Sequence, residues 1–279
     1  MNIEGELLDF NKPLTMGILN ITDDSFYEGS RYRKRESLIE RAGQMLDEGA
    51  DILDLGAQST RPGAELISEK QETETLIEAI KAVKDQYPHA IVSADTFRAN
   101  VARAAKEIGA SIINDVGSGI LDPEMFDAIA ELKVPYVLMH NRDTPKNMGS
   151  KAVYEDVVDE VVFELSEKLN ELRKKNVADV IIDPGFGFAK TVDHNFEMLN
   201  RFKEFRVLGC PLLAGISRKS MVWKSLGTTP NGALNGTTVL NTIALENGAS
   251  ILRVHDVLEC TQAIKLVSEL NKQTNRSFS

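Results

Sequence analysis

Cysteine is scarce in this chain. Cys210 and Cys260 are the only two among 279 residues, and neither sits in a C-x-x-C spacing. A zinc cluster and a disulfide framework are therefore unsupported, and a reducing cytoplasm is the expected compartment. Histidine is almost as sparse: His89, His140, His194 and His255 show no H-x-H or H-x-x-x-H spacing, which argues against a histidine-built metal site. No apolar run approaches the length of a bilayer span, so no membrane association is expected. The opening M-N-I-E-G-E-L-L-D-F has no basic n-region and no long apolar core, so no signal peptide is expected either. Positive charge is also in deficit. The net charge of −10 argues against nucleic-acid binding, which needs a basic face. An anionic small substrate stays open, because a few cations focused in a cleft can outweigh a distant acidic surface.

What the chain does have is a regular alternation. Apolar runs bounded by Gly, Pro or polar clusters predict strands at Leu14–Ile21, Asp51–Leu55, Ile91–Asp95 and Ser111–Asn114. Further strands are predicted at Tyr136–His140, Val180–Asp183, Leu212–Ile216 and Ile251–His255. Each is followed by helical periodicity: Leu76, Ile80 and Val83 after the second, for example, and Val161, Leu165, Leu169 and Leu172 after the fifth. Phe196, Leu199 and Phe202 mark the sixth helix, and Val239 and Ile243 the seventh. Gly49, Gly109 and Gly248 each stand in a G-A pair where a helix C′ residue belongs. The strands recur every ~34 residues, the size of a βαβ unit. Repeated over the whole chain, this predicts a single-domain α/β fold, a (β/α)8 TIM barrel, with a short N-terminal β-hairpin within about residues 1–13 around Gly5. A doubly wound sheet is the alternative, but N-I-T-D-D-S-F after the first strand is not a glycine-rich phosphate loop.

Barrels place their chemistry at the C-terminal ends of the strands. Those ends carry Asn20, the Ser59-Thr60-Arg61 loop, Asp95, Asn114-Asp115, His140-Asn141, Asp183, Ser217-Arg218-Lys219, and Arg253 with His255. Strand starts are apolar or small. A single strand-end Asp or Asn is usually structural, but this many polar groups at one mouth predict a site for something polar. Arg61, Lys219, Arg253 and His255 form a cationic group suited to a diphosphate or a carboxylate. Asp95 and Asp183 are acceptors, suited to amino and ring N–H donors or to a metal. A magnesium ion bridged by substrate phosphates needs only one or two protein oxygens, which Asn20 could supply. The polar, proline-stiffened stretch D-L-G-A-Q-S-T-R-P-G-A-E (Asp54–Glu65) reads as an anion-binding loop, or more plainly as a helix N-cap with a surface arginine. No Ser-His-Asp or Cys-His nucleophile pairing suggests itself, so covalent catalysis is not expected.

Eight segments taken in order resemble dihydropteroate synthases. They are M-G-I-L-N-I-T-D-D-S-F (Met16–Phe26), S-T-R-P-G-A (Ser59–Ala64), S-A-D-T (Ser93–Thr96), I-I-N-D (Ile112–Asp115), M-H-N-R-D-T-P-K-N-M (Met139–Met148), D-P-G-F-G-F-A-K (Asp183–Lys190), G-I-S-R-K (Gly215–Lys219) and R-V-H-D (Arg253–Asp256). The resemblance implies a homodimeric barrel enzyme of folate synthesis that joins 6-hydroxymethyl-7,8-dihydropterin diphosphate to p-aminobenzoate and releases diphosphate. It implies Mg2+ on the diphosphate, held by Asn20, with Thr60, Arg61, Arg253 and His255 on the diphosphate oxygens. Asp95, Asn114, Asp183, Lys219 and Arg253 would bind the pterin; Pro62, Phe188, Ser217 and Lys219 would border p-aminobenzoate. Asp95, Lys219 and Arg61 are the residues on which catalysis would rest. The loops at Thr60–Pro62 and Thr22–Arg31 would close together as lids. The chain departs from the usual pattern at Asp23 and Glu28 in the Thr22–Arg31 loop and at Gln58, two residues before Thr60. A methyltetrahydrofolate-dependent methyltransferase, or a paralogue that binds pterin without turnover, would share the pocket, although the former has no use for S-T-R-P or R-V-H-D.

Overall fold

Apolar residues of one parity along each strand face the barrel interior, and those of the other face a helix layer. A computed structural model describes residues 1–3, 5–21, 31–58, 66–142 and 152–276, and of 31–34 and 273–276 the backbone alone. A two-residue-per-strand hairpin, β1 (Asn2–Ile3) and β2 (Glu6–Leu7), turns at Gly5 (φ +95°). It is followed by β3 (Leu14–Asn20), α1 (Arg31–Asp47), β4 (Ile52–Gly56), α2 (Glu69–Gln86), β5 (Ile91–Asp95), α3 (Ala99–Glu107), β6 (Ile112–Asp115) and α4 (Met125–Leu132). The second half runs β7 (Tyr136–Met139), α5 (Val157–Lys174), β8 (Val180–Asp183), α6 (Val192–Asn200), β9 (Leu213–Ala214), α7 (Ser220–Ser225), α8 (Leu234–Glu246), β10 (Ile251–Val254) and α9 (Val257–Arg276).

Strands β3 to β8 pair in chain order, all parallel, with β10 and then β9 on the far side of β3. An Ile182–Leu212 bridge joins the two ends, so the eight strands close into a barrel. The interior floor is a compact apolar layer of Met16, Ile52, Ile112, Val137, Ile181 and Ile251, capped from below by Ile3 of the hairpin. Outward residues such as Leu53, Val92, Ile113 and Leu252 pack instead against the helices. This division of each strand between two cores is the reason its residues are nearly all buried.

The G-A steps behave as the sequence suggests. Gly49, Gly109 and Gly248 have φ of +96°, +107° and +95°, and each following alanine donates its N–H back across the helix end, as Ala50 does to Met45 at 2.9 Å. Asn176 (φ +62°) performs the same turn ahead of Val177, without a glycine.

Three local expectations are corrected. The strand predicted at Leu212–Ile216 is ordered only over Leu213–Ala214, because the chain already turns at Ile216, whose carbonyl accepts from Lys219 N at 3.1 Å. Phe196 is exposed on α6, whose buried face is Asn195, Met198 and Leu199. Val239 and Ile243 of α8 also point outward, while Thr237, Asn241, Ala244 and Leu245 are buried. The polar side of α8 is turned inward because Thr237 Oγ accepts from the Arg218 amide (3.2 Å) and holds the turn after β9.

Candidate active site

Two residues beyond the apolar floor, the same inward parity brings polar side chains into the barrel. From Ile52 it leads to Asp54, from Ile112 to Asn114, from Ile181 to Asp183 and from Ile251 to Arg253. Asp95 follows two residues after the inward Ser93. Burying these groups is costly unless they are paired, and they pair with one another. Arg253 Nε donates to Asp54 (2.6 Å), its Nη2 donates to Asp95 (2.6 Å), and Asn114 Nδ2 donates to the same oxygen of Asp54 (3.0 Å). Gly56 keeps this space open, since a Cβ there would lie 3.2 Å from that of Asp95.

The electrostatics are poised. Burial pushes the Asp95 carboxyl up to about 7, against the pull of Arg253. Burial raises Asp183 as well, with Lys219 opposing it. It draws Lys219 down to about 8, with Asp183 opposing. Burial also disfavours the charge on Arg253, but Asp54 and Asp95 outweigh it and keep the guanidinium protonated. Asp183 accepts from the Gly185 amide at 2.8 Å, and the Lys219 amine donates to the Phe186 carbonyl while lying 4.7 Å from the Phe188 ring. Phe97, Val116, Met139 and Phe188 form an apolar wall beside these groups.

His255 is a neutral imidazole, not the cation expected: burial and then the Arg253 charge bring it down to about 4. Its Nδ1 meets Ser217 Oγ at 3.0 Å, a pairing the sequence did not suggest. No catalytic triad results, because the adjacent Asp256 is engaged by both Nε and Nη2 of Arg218 (2.9 and 2.6 Å). Arg218 is thus held in a half-buried pair with Asp256.

Two other strand-end residues also face elsewhere. Asp115 and His140 have outward parity: Asp115 accepts from Tyr136 (2.6 Å) in the helix layer, and His140 meets Glu164 of α5 (2.9 Å). Asn141 is buried and donates to the Val116 carbonyl at 3.2 Å. Asn20 stands exposed at the mouth beside Gly56. Thr60, Arg61, Pro62, Asp23 and Glu28 lie outside the described residues. Gln58 is described, and its Oε1 accepts from the Ile67 amide at 3.1 Å. Among the described residues no group of three or more His, Cys, Asp or Glu side chains could hold a metal, and no helix is long and apolar enough to cross a membrane.

Asp54 is the site residue that strand-end reasoning missed. It sits inside its strand, and only the period-two pattern from Ile52 signals that it faces inward. The assembled pocket has the character of a slot for a flat heterocycle. It offers carboxylates and an amide for ring and amino N–H groups and an ammonium for a ring carbonyl, with Phe97, Val116 and Met139 of the apolar wall for its face.

The sequence and the fold match known proteins. Residues 16–255 match the family described as pterin binding enzyme. The dihydropteroate synthase of Escherichia coli is 37% identical over 278 residues, covering 99% of this chain and 98% of the relative. That of Clostridium beijerinckii is 38% identical, covering 90% and 91%. Among solved structures, the Yersinia pestis dihydropteroate synthase with a sulfonamide drug has a TM-score of 0.90 at 33% identity, covering 98% of this chain and 99% of that one. The Xanthomonas albilineans enzyme in complex with 7,8-dihydropteroate has a TM-score of 0.84 at 33% identity, covering 95% of each. With eight parallel strands closed around that slot and the match running nearly end to end, the chain belongs to the pterin-binding enzyme family, as a dihydropteroate synthase.

Proposed function

We propose that the pocket binds 6-hydroxymethyl-7,8-dihydropterin diphosphate and joins it to p-aminobenzoate in the following way. Asp95, Asn114 and Asp183 accept from the pterin amino and ring N–H groups, and Lys219 donates to its carbonyl. The observation that carries this reading is the Arg253 clamp: one guanidinium holds Asp54 and Asp95 in the slot while standing where the diphosphate would enter. The methylene–oxygen bond ionises, its electron pair leaves on diphosphate, and the cation is delocalised into the pterin. An ionised Asp95 beside it stabilises that charge. The aniline nitrogen, held against Phe188 near Ser217 and Lys219, then forms the new carbon–nitrogen bond and loses a proton to solvent. Positioning carries most of this chemistry, which suits a pocket with no nucleophile–base–acid triad among its described residues.

Thr60 and Arg61 are assigned to the diphosphate, Pro62 to the aminobenzoate side, and Arg61 to catalysis, on the S-T-R-P resemblance alone. Magnesium fits Asn20: its amide stands exposed at the mouth, and a phosphate-borne Mg2+ needs only one or two protein oxygens. The ion would neutralise charge on the departing diphosphate. A homodimer is proposed through the outer helices, where Val239 and Ile243 of α8 and Leu266 and Leu270 of α9 leave apolar stripes exposed. Lys219→Ala and Asp183→Asn test the pterin assignment. Each is expected to abolish detectable dihydropteroate formation in a folded protein, and near-wild-type turnover by either removes the assignment.

A further inference from the structure

The loop that carries Phe188 hangs on one amine. Lys190 Nζ lies 3.1 Å from the Gly185 carbonyl, 3.0 Å from the Phe188 carbonyl and 2.8 Å from His140 Nδ1. A charged ammonium has three N–H bonds, and here it finds three acceptors. His140 is buried, and with Nδ1 accepting from Lys190, the proton sits on Nε2 and is donated to Glu164 at 2.9 Å. Burial, and then the Lys190 charge, bring that ring down to about 3, so it stays neutral. Burial also draws Lys190 to about 7, against Asp183, while its three acceptors favour the ammonium.

The contacts continue into a closed circuit. Glu164 accepts from Arg142 Nε (2.9 Å), and Arg142 also donates to Glu160 and the Val153 carbonyl (both 2.7 Å). The guanidinium lies over the Tyr154 ring at 3.8 Å, and the Tyr154 hydroxyl donates to the Ala189 carbonyl at 3.0 Å, one residue before Lys190. Ala189 is left-handed (φ +48°), a conformation a non-glycine residue keeps only with outside support. On the strand side there is no slack either: a Cβ on Gly185 (φ +74°) would lie 2.1 Å from the His140 carbonyl oxygen.

We propose that Lys190, backed by His140, Glu164, Arg142 and Tyr154, is a positioning residue that fixes the Phe188 ring for the second substrate and not for the pterin. It rests on the reading above that Phe188 borders p-aminobenzoate. Lys190 touches neither substrate in this arrangement. It acts through two backbone carbonyls of the segment whose Phe186 carbonyl Lys219 holds.

The test is steady-state kinetics with Mg2+ and both substrates, plus calorimetric binding of the pterin diphosphate, on wild type, Phe188→Ala and Lys190→Met. Lys190→Met is expected to raise KM for p-aminobenzoate about tenfold while pterin diphosphate affinity stays within a factor of about two. An unchanged KM, or a parallel loss of pterin diphosphate affinity, overturns the proposal. Should Lys190→Met fail to fold, Tyr154→Phe decides: a KM rise of about threefold confined to p-aminobenzoate supports it, and no rise overturns it. A wild type that forms no dihydropteroate defeats the functional reading itself. Phe188→Ala with an unchanged KM defeats the wall and the proposal together, whereas an effective Phe188→Ala beside a silent Lys190→Met defeats the proposal alone.

Discussion

Arg253 Nε donates to Asp54 at 2.6 Å across 199 residues of sequence, joining the last strand of the barrel to β4. The same Asp54 oxygen takes the Asn114 amide, and the Asp54 side chain is fully buried. Removing it strands two donors in the barrel interior. Asp54→Ala is therefore expected to weaken pterin diphosphate binding by about a hundredfold, equivalent to about 2.7 kcal/mol. Asp54→Asn keeps an oxygen in place and should lose less, about tenfold. Calorimetry checks both. Affinity of Asp54→Ala within a factor of about three of wild type would mean that Asp54 positions nothing.

The raised Asp95 carboxyl makes stability depend on pH in a definite direction. Its value of about 7 in the folded chain lies above the ordinary carboxylate range reached on unfolding. The folded state therefore binds the extra proton between those values. The resulting stability is fully present below the unfolded value and is lost as pH rises through about 7. Asp95→Asn cannot ionise. Its loss of melting temperature between pH 5 and pH 8 should be smaller than that of wild type, even though its activity is lost. Equal losses in the two proteins would place Asp95 in a more solvated setting than the barrel provides.

His255 yields a prediction about protons. The ring is neutral near pH 6 in the free chain because its value is about 4. Diphosphate oxygens arriving beside it would supply the opposing charge that restores the proton. Diphosphate binding at that pH should accordingly take up part of a proton, read as a dependence of binding enthalpy on buffer ionisation enthalpy. In His255→Asn that uptake should shrink. The same uptake in both proteins would take His255 away from the diphosphate.

The parts of the site legible in the sequence are those where chemistry and position coincide. Asp95, Asn114, Asp183 and Arg253 stand at or next to strand ends, where a barrel exposes functional groups, and their polarity contrasts with the apolar strand starts. Asp54 was hidden by its place inside a strand. His140 and Asp115 misled for the complementary reason: both stand near strand ends, but an odd step from the inward residues turns them toward the helices. Parity decides such cases, and it depends on register more than on residue type. The Lys190 circuit joins side chains from three separated segments, so no local pattern announces it. On α8 periodicity failed because Thr237 is needed inside to hold the turn before Lys219, which left Val239 and Ile243 outside.

The most direct measurement mixes the protein with 6-hydroxymethyl-7,8-dihydropterin diphosphate, p-aminobenzoate and Mg2+, and follows diphosphate and dihydropteroate together. Equal amounts of the two should appear. Dihydropteroate should not form without p-aminobenzoate, and chelation of the metal should stop release of both products. Tight pterin diphosphate binding with no diphosphate release would contradict catalysis and leave a pterin-binding protein that does not turn over.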